Sequence, residues 1–300
     1  MASMQATPAA GQLQSGVSDA SPLLSVWRRF RRSGTAVVGL AFLLLLVLMA
    51  VLAPLLTREK VDFIDLANKN QAPSAQHWMG TDQYGRDVRD RIIWGSRTSL
   101  AIGFTAAGVA VLIGSAWGAV AGYYGGTWID ISMMRFAEAI DLIPLLFLLL
   151  VVAALVPRTG ILTEMFIIGA TSWPGLAFLV RGQFLSLREM DYAQASRAVG
   201  AKDFRIIFRH ILPNVVAIII VSATLRVGNA ILADAALGYL GYGAPPPTPS
   251  WGDAISVGRA FLITAPWVST WPGVFITLTV LAFNFFGDGL RDALDPRLRR

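Results

Sequence analysis

The chain has 300 residues, 55% of them apolar and 15% charged, with a mean hydropathy of +0.57. A soluble domain carries about a quarter of its residues as charged groups, so this balance excludes one aqueous core and points to an integral membrane protein. The net charge of +6 comes from 22 Arg and 3 Lys lying in short runs beside apolar stretches; with no Cys and only His77 and His210, the composition argues against a nucleic-acid face, a thiolate or His-rich metal site, and a catalytic triad.

Residues 1–25 are small and polar without a helical stripe and are expected to be disordered, within an N-terminal tail of 1–33. Arg28, Arg29, Arg31 and Arg32 then precede an uncharged run over 34–56, the first predicted transmembrane helix. Its 23 residues make about 34 Å of helix, against a hydrocarbon core of about 30 Å. A cleaved signal peptide is the rival reading, but its apolar region would be only about 7–15 residues. The segment 57–97 holds seven basic and six acidic residues, with Arg86–Asp90 and Asp87–Arg91 at the spacing of helical ion pairs.

A five-helix core over 98–290 follows, with spans near 98–122, 133–156, 161–180, 214–236 and 272–290. The predicted fold is therefore all-α and polytopic, with six transmembrane helices. Gly103, Gly108, Gly114, Gly118 and Gly122 punctuate the second span, where small residues let helices approach closely. Basic residues concentrate in the N-terminal run, in the 181–213 connection (Arg181, Arg188, Arg197, Lys202, Arg205, Arg209) and in the tail 291–300, whereas the connection 237–271 carries only Arg259. By the positive-inside rule both termini and the 181–213 connection are cytoplasmic, and 57–97 and 237–271 are external. In the external 237–271 segment, Pro245, Pro246, Pro247 and Pro249 favour extended chain, and Trp251, Phe261 and Trp267 are candidates to pack as an outer cap or gate, or to stiffen an ordinary connection. No period of 20–50 residues and no likeness between the halves appears, which disfavours solenoids and inverted-repeat carriers.

The 181–213 connection is amphipathic. Phe204, Ile207, Phe208 and Ile211 form one apolar stripe at helical spacing, and Tyr192, Ala195 and Val199 form a shorter one. Gly200 stands between them, suited to a left-handed helix end, and Pro213 suits the first turn of the next span. Two short helices with a sharp elbow are expected. They either float on lipid headgroups or insert into a protein groove; Ala193, Ala195, Ala198 and Ala201 bury little in lipid and favour the groove.

Gln194-Ala195-Ser196, Gly200 and His210-Ile211-Leu212-Pro213 resemble the "EAA" loop of ATP-binding-cassette importer permeases, with the glycine-to-proline spacing kept. The resemblance extends over about 25–300. GTDQYGRD at 80–87 is similar to a signature of peptide and nickel importer subunits, and residues 236–259 and 278–299 resemble the C-terminal region of their C-type membrane subunit. Where the family usually carries Asp three residues after Met-Arg, Met134-Arg135 is followed by Glu138, with an additional Asp141. The resemblance implies a type I ABC importer permease fold in a bacterial cytoplasmic (inner) membrane. It also implies a paralogous second permease, two ATP-binding cassette subunits and an extracytoplasmic substrate-binding protein as partners, besides the lipid bilayer. Residues 191–212, with Tyr192, Gln194, Phe204 and Leu212 among them, would then dock on the ATPase. ATP and Mg would be bound by that partner, with no cofactor on this chain and no catalytic residues. Cargo would be di- or oligopeptides, glutathione-like thiols or nickel chelates.

Lys60, Lys69 and Lys202 lack the Gly-rich context of a phosphate-binding loop, so the chain is not expected to hydrolyse ATP. Arg226 lies inside the fifth span, where a central charge costs about 2.5–3.5 kcal/mol. It either lines a translocation path with Asp234, Asp141 and Glu138, or makes an internal ion pair with Asp141 or Glu164. An ion-coupled carrier that acts alone would need Glu138, Asp141 and Glu164 as its relay.

Overall fold

The computed structural model describes residues 22–57, 63–156, 160–243 and 248–294. Among them the regular structure is helical, apart from one isolated bridge between Thr81 and Asp87. The expected disorder of residues 1–25 is tested only from Pro22, where α1 (Pro22–Phe30) already begins. Phe30 anchors it edge-on to Phe286 at 5.6 Å. Ser33 caps α2 (Gly34–Val51) by accepting from the Ala36 amide, and α3 (Ala53–Leu56) follows after a break beside Pro54.

The second span is longer than its apolar run. α4 (Val88–Tyr123) has 36 residues, about 54 Å of helix, so its ends must project beyond the hydrocarbon. The third and fourth expected spans are each broken. α5 (Trp128–Asp141) and α6 (Leu145–Leu155) meet at 90°, and α7 (Ile161–Thr171) and α8 (Pro174–Leu187) at 44°. Both breaks precede a proline, Pro144 and Pro174, which clashes with helical geometry at the residue before it. Four helical stretches are long and apolar enough to cross a membrane, and six if each bent pair is one span.

α9 (Asp191–Ala198) ends at Gly200, whose φ of +79° is the left-handed turn that glycine adopts without steric cost. The expected second short helix is not separate. α10 (Asp203–Arg205) runs through a π turn at Ile206–Ile211 straight into α11 (Leu212–Tyr239). The wider turn accommodates Pro213, which lacks an amide donor and would otherwise clash inside an α-helix. α12 (Trp251–Arg259) and α13 (Trp267–Leu294) complete the order.

α4 is the central helix, packed against α2, α7, α8 and α11. Of the five glycines expected to pack, Gly103, Gly114, Gly118 and Gly122 do, whereas Gly108 has nothing within 4 Å among the described residues. A Cβ at Gly118 would come within 2.4 Å of the Ala177 carbonyl, and one at Gly122 within 2.5 Å of the Phe184 Cβ, so α4 and α8 touch backbone to backbone. α13 runs antiparallel to α2, with Gly289 against Ala36 and Gly39 against Ala282. Arg89 Nη2 reaches the Leu56 carbonyl at 3.1 Å, which places the start of α4 at the far end of α2. The basic N-terminal run, the 181–213 connection and the end of α13 therefore share one end of the bundle. Residues 295–300 of the basic tail lie outside the described residues.

At the opposite end the 63–87 segment and α12 lock together. The expected pairs Arg86–Asp90 and Asp87–Arg91 do not form, because Arg86 and Asp87 precede the helix. Arg86 Nε instead donates to Asp82 Oδ2 at 2.7 Å, and Arg91 Nη2 to Asp253 Oδ2 at 2.7 Å. Burial pushes the Asp253 carboxyl up, and the Arg91 guanidinium opposes it. Asp87 Oδ1 accepts from the Arg89 amide at 2.8 Å as the cap of α4, and its other oxygen contacts His77 Nδ1 at 2.9 Å. The GTDQYGRD stretch is thus the turn that starts α4. Trp251 is fully buried, with Nε1 donating to the Ile92 carbonyl at 3.0 Å. Trp267 Nε1 donates to the Thr81 carbonyl at 3.1 Å and ties the two segments. Pro245, Pro246 and Pro247 lie outside the described residues.

Candidate functional site

The elbow at the basic end is held to the bundle by polar contacts that its own sequence does not announce. Asp203 accepts from the Tyr123 hydroxyl at 2.6 Å and from the Tyr124 hydroxyl at 2.8 Å. Asp203 beside it pushes the Tyr124 phenol up. The Arg197 guanidinium stands 5.4 Å from the Tyr123 ring centre. Arg188 Nη1 donates to the Tyr123 and Gly125 carbonyls at 3.2 and 2.9 Å, closing the end of α4. Just inside, Arg181 makes a bidentate pair with buried Asp130, with bonds of 2.6 and 2.7 Å.

The expected apolar stripe divides. Ile207 and Ile211 are buried with Ile206 against Val180, Phe184 and Val215, whereas Phe204 and Phe208 point outward, 71% and 52% exposed. Ile206 and Ile211, five residues apart, share the inner face because the π turn repeats over five residues. The outer rings meet at a tilt of 37° with centres 4.3 Å apart. On α9, Ala193 faces the bundle, while Tyr192, Ala195 and Val199 are exposed; Gln194 Nε2 donates to the Glu189 carbonyl and Ser196 Oγ to the Tyr192 carbonyl. Leu212 packs beside the inner cluster and Pro213 stands in the first turn of α11. An anchored elbow thus presents Tyr192, Val199, Phe204 and Phe208 with no neighbour among the described residues to cover them.

A second feature lies deeper. A cavity of about 260 Å³ opens where both broken helices turn, lined by Asp141, Pro144, Ser172, Pro174, Arg226 and Asn229 among others. Arg226 makes no ion pair within 4 Å among the described residues; Nη1 donates to the Ser172 carbonyl instead. The expected partner Glu164 lies elsewhere, buried on α7 and off the cavity wall. Asp234 is fully buried, accepts from Ser99 Oγ at 3.3 Å and does not line the cavity. Glu138 is half exposed and paired with Arg135 on its own helix at 3.0 Å. Of the four expected pathway residues, the structure brings together Arg226 and Asp141.

The sequence matches two family models: "Binding-protein-dependent transport system inner membrane component" over residues 114–300, and "N-terminal TM domain of oligopeptide transport permease C" over residues 21–73. It is 43% identical to the dipeptide transport system permease protein DppC of Alkalihalophilus pseudofirmus, over 93% of this chain and 91% of that protein. It is 40% identical to the oligopeptide transport system permease protein OppC of Bacillus subtilis, over 98% and 97%. Identity to the glutathione transport system permease protein GsiD of Escherichia coli is also 40%, over 93% and 92%. In fold, it superposes on a chain of the inward-facing MetNI methionine ABC transporter with a TM-score of 0.54 and 20% identity, covering 68% of this chain and 96% of that one. The helical bundle, its anchored elbow and these likenesses have one common account: the chain belongs to the family of inner membrane components of binding-protein-dependent, ATP-binding-cassette transport systems.

Proposed function

We propose that this chain forms half of the translocation pathway of an ATP-driven importer of di- and oligopeptides, and transmits force from a separate ATPase. The observation that carries this reading is the elbow at 191–212: its outer aromatic face is uncovered, while its inner side is pinned to α4 through Asp203. A helix that only floats on lipid has no need of such pinning.

Tyr192, Gln194, Ala195, Ser196, Gly200, Phe204 and Phe208 meet the ATPase in this reading, and Ile207, Ile211, Leu212 and Pro213 pass the movement into α11. Closure of the ATPase dimer on ATP and Mg shifts the elbow, and the bundle rocks between inward- and outward-open forms. Positive charge at the elbow end supports a cytoplasmic location for it and for both termini, in a bacterial inner membrane. A paralogous permease, two ATPase subunits and an extracytoplasmic binding protein complete the assembly. Peptide cargo rests on the names of the dipeptide and oligopeptide relatives; glutathione, itself a short peptide, is the second reading, on the likeness to GsiD.

Proteoliposomes with the complete assembly should take up labelled dialanine only when ATP and the binding protein are present, and this chain alone should take up none under a proton or sodium gradient. Gradient-driven uptake by the chain alone would contradict the reading.

A further inference from the structure

Arg226 faces a particular chemical setting. Its Nη1 is fixed to the Ser172 carbonyl at the break between α7 and α8, while its Nε is buried with no hydrogen-bond partner among the described residues. A Cβ on Gly175 would stand 3.5 Å from Nη2, so the guanidinium lies against the first turn of α8. Pro144 and Leu145, at the start of α6, line the same cavity. The opening amides of a helix carry partial positive charge and lack intrahelical partners. Half-helix starts inside a membrane protein therefore favour anionic groups. Asp141, the last residue of α5, lines this cavity too and makes no ion pair within 4 Å among the described residues.

The juxtaposition is selective. Arg226 and two helix starts supply positive potential, and Asp141 supplies one negative charge in the same space. A cation finds Arg226, a dianion finds Asp141, and a molecule bearing one charge of each sign satisfies both. The volume of about 260 Å³ falls just below the usual range for ligand pockets, about 300–1,000 Å³, and suits a dipeptide or the end of a longer peptide.

We propose that this cavity is a binding site for zwitterionic solutes, with Arg226 and the starts of α6 and α8 taking a carboxylate and Asp141 taking an ammonium group. The proposal rests on the importer reading above. It makes Arg226 and Asp141 specificity-determining residues on the path, in addition to any selection by a binding protein.

The chain has no Cys, so Leu148→Cys places one thiol on the cavity wall. In the assembled importer with cysteine-free partners and no binding protein, its modification by anionic and cationic methanethiosulfonates is measured and normalised to a free thiol. Dialanine at tens of millimolar should slow both reactions. Its N-acetyl form (carboxylate only) and its C-terminal amide (ammonium only) should protect less. Arg226→Met should lower the anionic-to-cationic rate ratio about tenfold and abolish protection by N-acetyl-dialanine, with Arg226→Lys keeping part of both. Asp141→Asn should raise that ratio and abolish protection by the amide, and it serves where Arg226→Met fails to assemble. Absence of protection by dialanine, or equal protection in all these variants, overturns the site. An importer that takes up dialanine with ATP while leaving the thiol unprotected fails this proposal alone; absence of ATP-driven uptake fails the importer reading.

Discussion

Replacing Phe204 and Phe208 together by Ser is expected to leave the protein in the membrane at its normal level and to cut ATP-driven uptake about 30-fold or more. The two rings are 71% and 52% exposed and touch chiefly each other, so their removal takes little from the bundle. At a protein interface the balance is different. Exposed aromatic anchors are the residue types that carry binding energy, at about 2 kcal/mol or more each when truncated. Ile206 and Ile211 on the inner face are the contrast: both are fully buried, and Ile211→Ser should lower the amount of folded protein itself. Uptake assays set against immunoblots of membrane fractions separate the two classes. Normal uptake by the double Phe variant would remove the docking role of this face.

The largest expected effect on stability is at Gly118. A Cβ there would lie 2.4 Å from the Ala177 carbonyl, 2.8 Å from the Val180 Cβ and 3.0 Å from the Arg181 amide. Two of those three atoms are backbone and cannot swing away, so Gly118→Val must part α4 from α8. The buried cluster that Ala119, Leu176, Val180 and Phe184 form across this seam would open with it. Gly108→Val is the control, since Gly108 has nothing within 4 Å among the described residues although it sits on the same helix. Overpacking costs about 1–3 kcal/mol even where neighbours can adjust, and here they cannot. Thermal unfolding in detergent should therefore show Gly118→Val melting well below wild type, or not accumulating, with Gly108→Val unchanged. Equal midpoints for the two variants would contradict the backbone contact.

These two variants also mark what the sequence made legible. Apolar runs over 34–56, 214–236 and 272–290 are read from composition, because a helix in lipid must be apolar along its whole crossing. Gly200 and Pro213 are legible for the same kind of reason, since each carries a backbone constraint in its own covalent structure. Pro144 and Pro174 carried that signal too: the bends between α5 and α6 and between α7 and α8 follow from the restriction on the residue before proline. The π turn carried no such signal. Across it Phe208 faces outward while Ile206 joins Ile207 and Ile211 against Val180 and Phe184.

Polar partners were least legible. Arg91 meets Asp253 across 162 positions, and Asp203 meets Tyr123 across 80. Charge patterning within one segment sees neither, because it assigns partners by local spacing. Arg226 shows the same limit from the other side. Its cost inside a span pointed either to a place on a path or to a carboxylate partner, and the α7–α8 break exposes a backbone carbonyl at Ser172 that neither reading named. That bond leaves Asp141 and the rest of the guanidinium to the cavity.

The most direct test of the central claim places a single thiol at the elbow by Phe204→Cys in the fully assembled importer, coupled to a short photoactivatable crosslinker. Illumination is predicted to join this chain to an ATP-binding subunit, with a yield that changes when ATP is added. A product consisting only of lipid adducts, in an assembly that still contains the ATPase, would contradict it.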